Sequence, residues 1–151
     1  MKTMVRRLAL ACVLSAAAIA PAVAAGDNPT PSDPPELPSI RAALKAKQYD
    51  AGLAQLKVLV LKYQTPGVYS LMGFALRKTG DRPQAMTYYN RALAMDPAHR
   101  GALEYQGELF VELGQLDKAK ENLAKLKRQC LFGCEEADDL KEAIEHAPKG
   151  G

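Results

Sequence analysis

Thirty-four residues after Gly73, Gly80 and Ala85, the chain repeats itself with Gly107, Gly114 and Ala119. Bulky residues return at the same interval: Tyr69, Leu76 and Tyr89 are answered by Leu103, Phe110 and Leu123, and Ala92 by Leu126. A period of this length belongs to helix-turn-helix units that stack side by side. One such unit cannot bury its apolar face alone, so neighbours must complete one another's core. The fold class implied is an all-α solenoid, an architecture that presents interaction surfaces and seldom a catalytic constellation.

The spacing inside the better copy gives the elements directly. Tyr69, Met72, Gly73 and Leu76 recur at helical intervals, the pattern breaks at Thr79-Gly80, and Ala85, Tyr89 and Ala92 resume it. Two amphipathic helices joined by so short a turn pack antiparallel. Gly73 and Ala85 lack bulk, which predicts close approach of their two backbones, and Gly80 supplies the left-handed residue that ends the first helix. Thr65-Pro66 and Asp96-Pro97 each place a capping side chain before a proline suited to the first helical turn, so each is expected to open a repeat.

At these residues the sequence resembles the tetratricopeptide repeat family. Segment 66–99 carries nearly the whole pattern, from Tyr69 through Met72, Gly73, Leu76, Gly80, Ala85, Tyr89 and Ala92 to Pro97. Segment 100–131 carries most of it and departs at Leu126 and Leu131. Upstream, Tyr49, Gly52, Leu53, Leu56 and Leu59 look like the second helix of a degenerate copy spanning 39–65, whose first helix lies around Ile40 to Ala46. The resemblance implies a tetratricopeptide-like domain over 39–147 that binds protein or peptide, and it does not name the partner.

The N-terminus bears on the compartment. Lys2, Arg6 and Arg7 precede an apolar run from Leu8 to Ala20, and Ala22-Val23-Ala24 supplies the small residues of a cleavage site. This reads as a secretory signal over 1–25, and the run is short for a membrane span. A lipid anchor on Cys12 is disfavoured, because Arg7 lies too close before it. Residues 26–38 hold five prolines and one large apolar side chain, Leu37, a composition expected to give an extended, disordered leader. The chain carries a formal net charge of +3, but losing Lys2, Arg6 and Arg7 leaves seventeen basic against seventeen acidic residues. No basic surplus remains of the kind nucleic acid requires.

Cys130 and Cys134 remain after cleavage. In an oxidising compartment a close pair reads first as a disulfide, stapling the end of the last repeat to a further helix. A redox-active pair is the competing reading, with three intervening residues and a flanking acidic run, Glu135, Glu136, Asp138 and Asp139, against it. His99 and His146 lie far apart without ligand spacing and read as solvated. Over 135–146 the stripe Ala137, Leu140, Ala143 and Ile144 predicts a capping helix for the open end of the stack.

No phosphate loop, nucleophile motif or metal cluster is present in the sequence, so no catalytic residue, cofactor or metal is expected. The candidate partner-binding face is the stripe opposite Gly73, namely Ser70, Phe74 and Arg77 with Lys78 beside it, and its counterpart one repeat later, Glu104, Glu108 and Val111. A basic, aromatic lip would face an acidic one. The same charges also suit internal neutralisation, Arg77 pairing with Glu104 or Glu108, and Phe74 is open between partner contact and a lid over the core. A clamp on a terminal carboxylate, the family's best-understood mode, is unsupported, since Ser70 and Phe74 stand where it needs a cation and an asparagine. The expectation is a non-enzymatic periplasmic adaptor that holds a protein or peptide segment in a shallow groove. The alternatives are a thiol-disulfide helper acting through Cys130 and Cys134, and a structural subunit of an envelope assembly.

Overall fold

The computed structural model describes residues 32–148, so the expected signal, its cleavage site and the start of the Pro-rich leader lie outside the described residues. Seven helices follow in order: α1 Leu37–Lys45, α2 Tyr49–Lys62, α3 Pro66–Lys78, α4 Arg82–Met95, α5 Arg100–Glu112, α6 Leu116–Gln129 and α7 Glu135–Glu145. The first six form three helical hairpins, and α7 packs on α5 and α6. The odd-numbered helices touch in series, α1 on α3 on α5 on α7, whereas α2, α4 and α6 contact odd-numbered helices and not one another. Two rows result, an inner one in continuous contact and an outer one set apart. None of the described helices is long and apolar enough to cross a membrane.

The hairpin turns repeat one device. After α3 and α5 the chain passes through Gly80 at φ 100° and Gly114 at φ 70°. The next residues, Asp81 and Gln115, donate their N–H groups back to the carbonyls of Leu76 and Phe110, both at 2.8 Å. The degenerate first copy makes the same turn with Lys47 at φ 62°, Gln48 donating to Ala43 at 3.0 Å. A lysine thus occupies the left-handed position that the other two copies give to glycine.

Gly73 seats an aromatic ring. A Cβ there would collide with the Tyr89 ring, so the absent side chain makes room for Tyr89, one helical turn beyond the Ala85 that the spacing singled out. Tyr89 is fully buried in consequence. One repeat later Leu123 replaces Tyr89, and the seat at Gly107 is filled from α7 by Leu140, 2.5 Å from an imagined Cβ. The capping helix therefore completes the second good repeat, its Ala137 and Leu140 buried with Leu103, Leu123 and Leu126.

Two expected boundaries shift. Asp96 ends α4 instead of capping α5, and its carboxylate accepts from the Ala98 N–H in the connecting turn. The cap of α5 is His99, whose Nδ1 accepts from the Ala102 N–H at 3.1 Å, so this ring is a half-buried structural group and not a solvated one. Burial lowers its pKa, which favours the neutral ring that capping requires. The leader also ends early: Leu37, expected within it, opens α1 and is buried with Ile40 and Leu44. Prolines at a helix start cost no hydrogen bond, so Pro38 does not delay the helix. Asp33 anchors the approach by accepting from the Thr65 hydroxyl at 2.5 Å, and Thr65 itself caps α3 by accepting from the Val68 N–H.

Candidate functional site

The inner row forms a concavity of about 260 Å³ to which all four of its helices contribute. Each supplies a pair of residues one helical turn apart, which places both on the same face. The pairs are Arg41 and Lys45 from α1, Phe74 and Lys78 from α3, Glu104 and Glu108 from α5, and Glu135 and Asp139 from α7. Charge is segregated by helix: α1 and α3 bring cations, α5 and α7 bring carboxylates. Between them lies an aromatic floor, with the Phe74 ring 4.7 Å from Tyr105 and 6.2 Å from Tyr49, centroid to centroid. Lys78 Nζ stands 5.4 Å from the Phe74 centroid.

Glu104 is the least solvated carboxylate of this wall, 8% exposed. Burial, followed by the charges of Glu108, Asp139 and Glu136, pushes its pKa up to about 8. Burial and the carboxylates around Asp139 shift that residue in the same direction. Tyr105 is pushed up to about 12 by burial and by Glu104. At the rim, Lys45 meets Glu135 and Arg100 meets Glu136, each at 3.6 Å.

Of the seven residues expected on this face, Phe74, Lys78, Glu104 and Glu108 line the concavity. Ser70 and Arg77 do not. Both are buried, because α3 packs against α5 and that contact takes two positions of the predicted stripe. The Arg77 side chain is 2% exposed; its Nη2 pairs with Glu108 and its Nη1 lies 3.5 Å from Glu112, which Arg82 also holds at 2.8 Å. Arg77 is thus neutralised internally, through Glu108 and Glu112 and not Glu104. Val111 is half-buried and off the cavity wall. Phe74 serves both proposed roles, packing on Tyr49 and Tyr105 while facing the cavity.

Sequence reasoning missed the contributions of α1 and α7. Arg41 was findable, since it precedes Phe74 by 33 residues, the offset of the degenerate copy, and Phe74 precedes Glu108 by 34. Asp139 and Glu136 were not, because α7 carries no repeat register to fix which way they face.

A second concavity, about 710 Å³, opens on the opposite side between α4 and α6, with α5 as its floor. Its base is a run of amides: Gln106 donates to Asn90 at 2.8 Å, and Asn122 donates to Gln106 at 3.0 Å and to the Leu103 carbonyl at 3.1 Å. These bonds link α4, α5 and α6 through one chain of amides. At the end of α6, Cys130 and Cys134 form a disulfide with Cα atoms 5.7 Å apart, and Gly133 turns the loop at φ 88°. Cys130 ends α6 and Cys134 precedes α7, so the bond spans the junction of the two helices.

The stretch comprising α3, its turn and α4 matches the family profile of the tetratricopeptide repeat over residues 66–99. Residues 66–99 are a tetratricopeptide repeat. No curated protein matches the chain. The repeat accounts for the hairpin α3–α4, and the helical pairs stacked on either side of it make the whole a tetratricopeptide-like solenoid. This repeat brings Phe74 and Lys78 to the inner face.

Proposed function

We propose that this protein is a non-enzymatic adaptor, exported to the periplasm, that holds an extended segment of a protein partner across the inner face of its tetratricopeptide-like stack. The observation that carries the reading is the convergence of all four inner helices on one concavity with cations on one side, carboxylates on the other and aromatic rings between. An apolar centre with charges sorted around it offers a bound chain both contact area and direction. Export rests on the charged start, the apolar run and the Ala22-Val23-Ala24 site of the sequence.

The test compares the two faces. Partner isolated by crosslinking from the envelope of the source cell should be lost from the Phe74→Ala and Lys78→Glu variants and retained by Lys118→Glu, on the outer cleft. The reverse pattern would move the partner to the outer cleft and favour a structural role. Mass spectrometry of the exported protein should find its N-terminus at Ala25 or Gly26; intact Met1 would end the periplasmic reading by cleavage.

A further inference from the structure

A carboxyl group withdrawn from water keeps its proton unless a cation comes beside it, since burying a charge unpaired is costly. Glu104 is 8% exposed and lies on the cavity wall, where its carboxylate keeps a little contact with water but has no hydrogen bond or ion pair among the described residues. Its neighbours sharpen the demand. Glu108 is partly neutralised by Arg77, and Glu136 by Arg100, but Asp139 has no cation within ion-pair distance among the described residues. Two carboxylates thus stand unmatched on one wall, beside the faces of Phe74 and Tyr105. The Phe74 ring already carries two cations, the Lys78 ammonium at 5.4 Å and the Arg77 guanidinium at 5.7 Å from its centroid, so Tyr105 is the ring beside these carboxylates that carries none among the described residues. An aromatic face next to unpaired carboxylates is the environment that takes the alkyl stem and charged head of a long basic side chain.

We infer that the Glu104–Asp139 wall, with the Phe74 and Tyr105 rings, is a socket for a single lysine or arginine side chain presented by the bound protein segment. This rests on the inner face being the partner surface and specifies what is read there. The opposite wall narrows the choice further: Arg41, Lys45 and Lys78 repel a run of basic residues, so the segment carries an isolated cation flanked by neutral or acidic positions. Entry of the cation favours the ionised form of Glu104, which faces Glu108 on its own helix, Glu136 and Asp139 on α7, Arg77 on α3 and the α1 cations across the cavity. Binding near neutral pH therefore releases a proton.

The experiment selects a displayed library of random peptides on the full chain and measures the synthesised winners by calorimetry in buffers of different ionisation enthalpy. The expected peptides lose binding to Phe74→Ala and share one basic residue. Its replacement by norleucine, or Glu104→Gln in the protein, weakens binding about tenfold or more, and proton release is seen in the wild type and lost in Glu104→Gln. Asp139→Lys, a change at an exposed position that leaves the core alone, weakens it likewise. Peptides that depend on Phe74 but share no basic residue, or are indifferent to both Glu104→Gln and Asp139→Lys, overturn the socket and leave the partner surface standing. If no selected peptide depends on Phe74 or Lys78, both fall.

Discussion

Arg77 sits where water does not reach, and its charge is held by two carboxylates of α5. Truncating one member of such a group leaves the others uncompensated. Arg77→Met should therefore lower stability in urea by about 3 kcal/mol, the smaller end of the buried-pair range because Glu108 and Glu112 keep some contact with solvent. An unchanged midpoint would place the guanidinium in solvent instead. Glu104 makes the opposite case. Its carboxyl holds a proton more tightly in the folded chain than in the unfolded one, so stability falls as pH rises from the ordinary value of 4.5 to about 8. Glu104→Gln removes that loss: melting temperatures of variant and wild type should converge in acid and separate in favour of the variant above this range. Equal temperatures at high pH would mean a solvated carboxylate.

The turns show how closely a helical pair depends on one backbone angle. Lys47 adopts φ 62° where its counterparts are glycine, a conformation that costs an L-residue about 1–2 kcal/mol. Part of that is offset by the greater freedom glycine has in the unfolded chain, so Lys47→Gly should stabilise by about 0.5–1 kcal/mol in thermal melts. Destabilisation would show that Lys47 does more than turn the chain. The seat at Gly73 is tested by a cycle: Gly73→Ala should cost about 1–3 kcal/mol by overpacking Tyr89, and less when Tyr89→Leu has been made first. Additive effects would separate the two residues. The elements themselves were legible because glycine at Gly80 and Gly114 is the residue a left-handed turn selects, and sequence registers that choice. Their edges were less so. Asp96-Pro97 looks like a cap followed by a first turn, yet the same pair equally ends one helix and begins a loop. Arg77 was placed on the open face because a stripe at helical spacing cannot distinguish a solvent-facing side from one covered by the next inner helix.

Seen entire, the stack has unlike ends. The first hairpin is entered from a proline-rich approach tied to Thr65, whereas the last is closed by α7 and a covalent loop. In the chain-entropy account a loop this short contributes on the order of 2 kcal/mol. The Cys130→Ser, Cys134→Ser variant should melt earlier, with amide protection lost first in α7 and in the α5 turns it covers. Protection lost uniformly would mean that α7 and the repeats unfold as one. The two rows have a further consequence. Helices that touch along the inside and stand apart along the outside make an arch whose inner line is the natural axis of any bending. When such an arch straightens or curls, the wedge between α4 and α6 changes width while the side chains of the concave floor keep their neighbours. The amides of Asn90, Gln106 and Asn122 run across that wedge from α4 through α5 to α6, so a change in its width has to stretch or break those bonds.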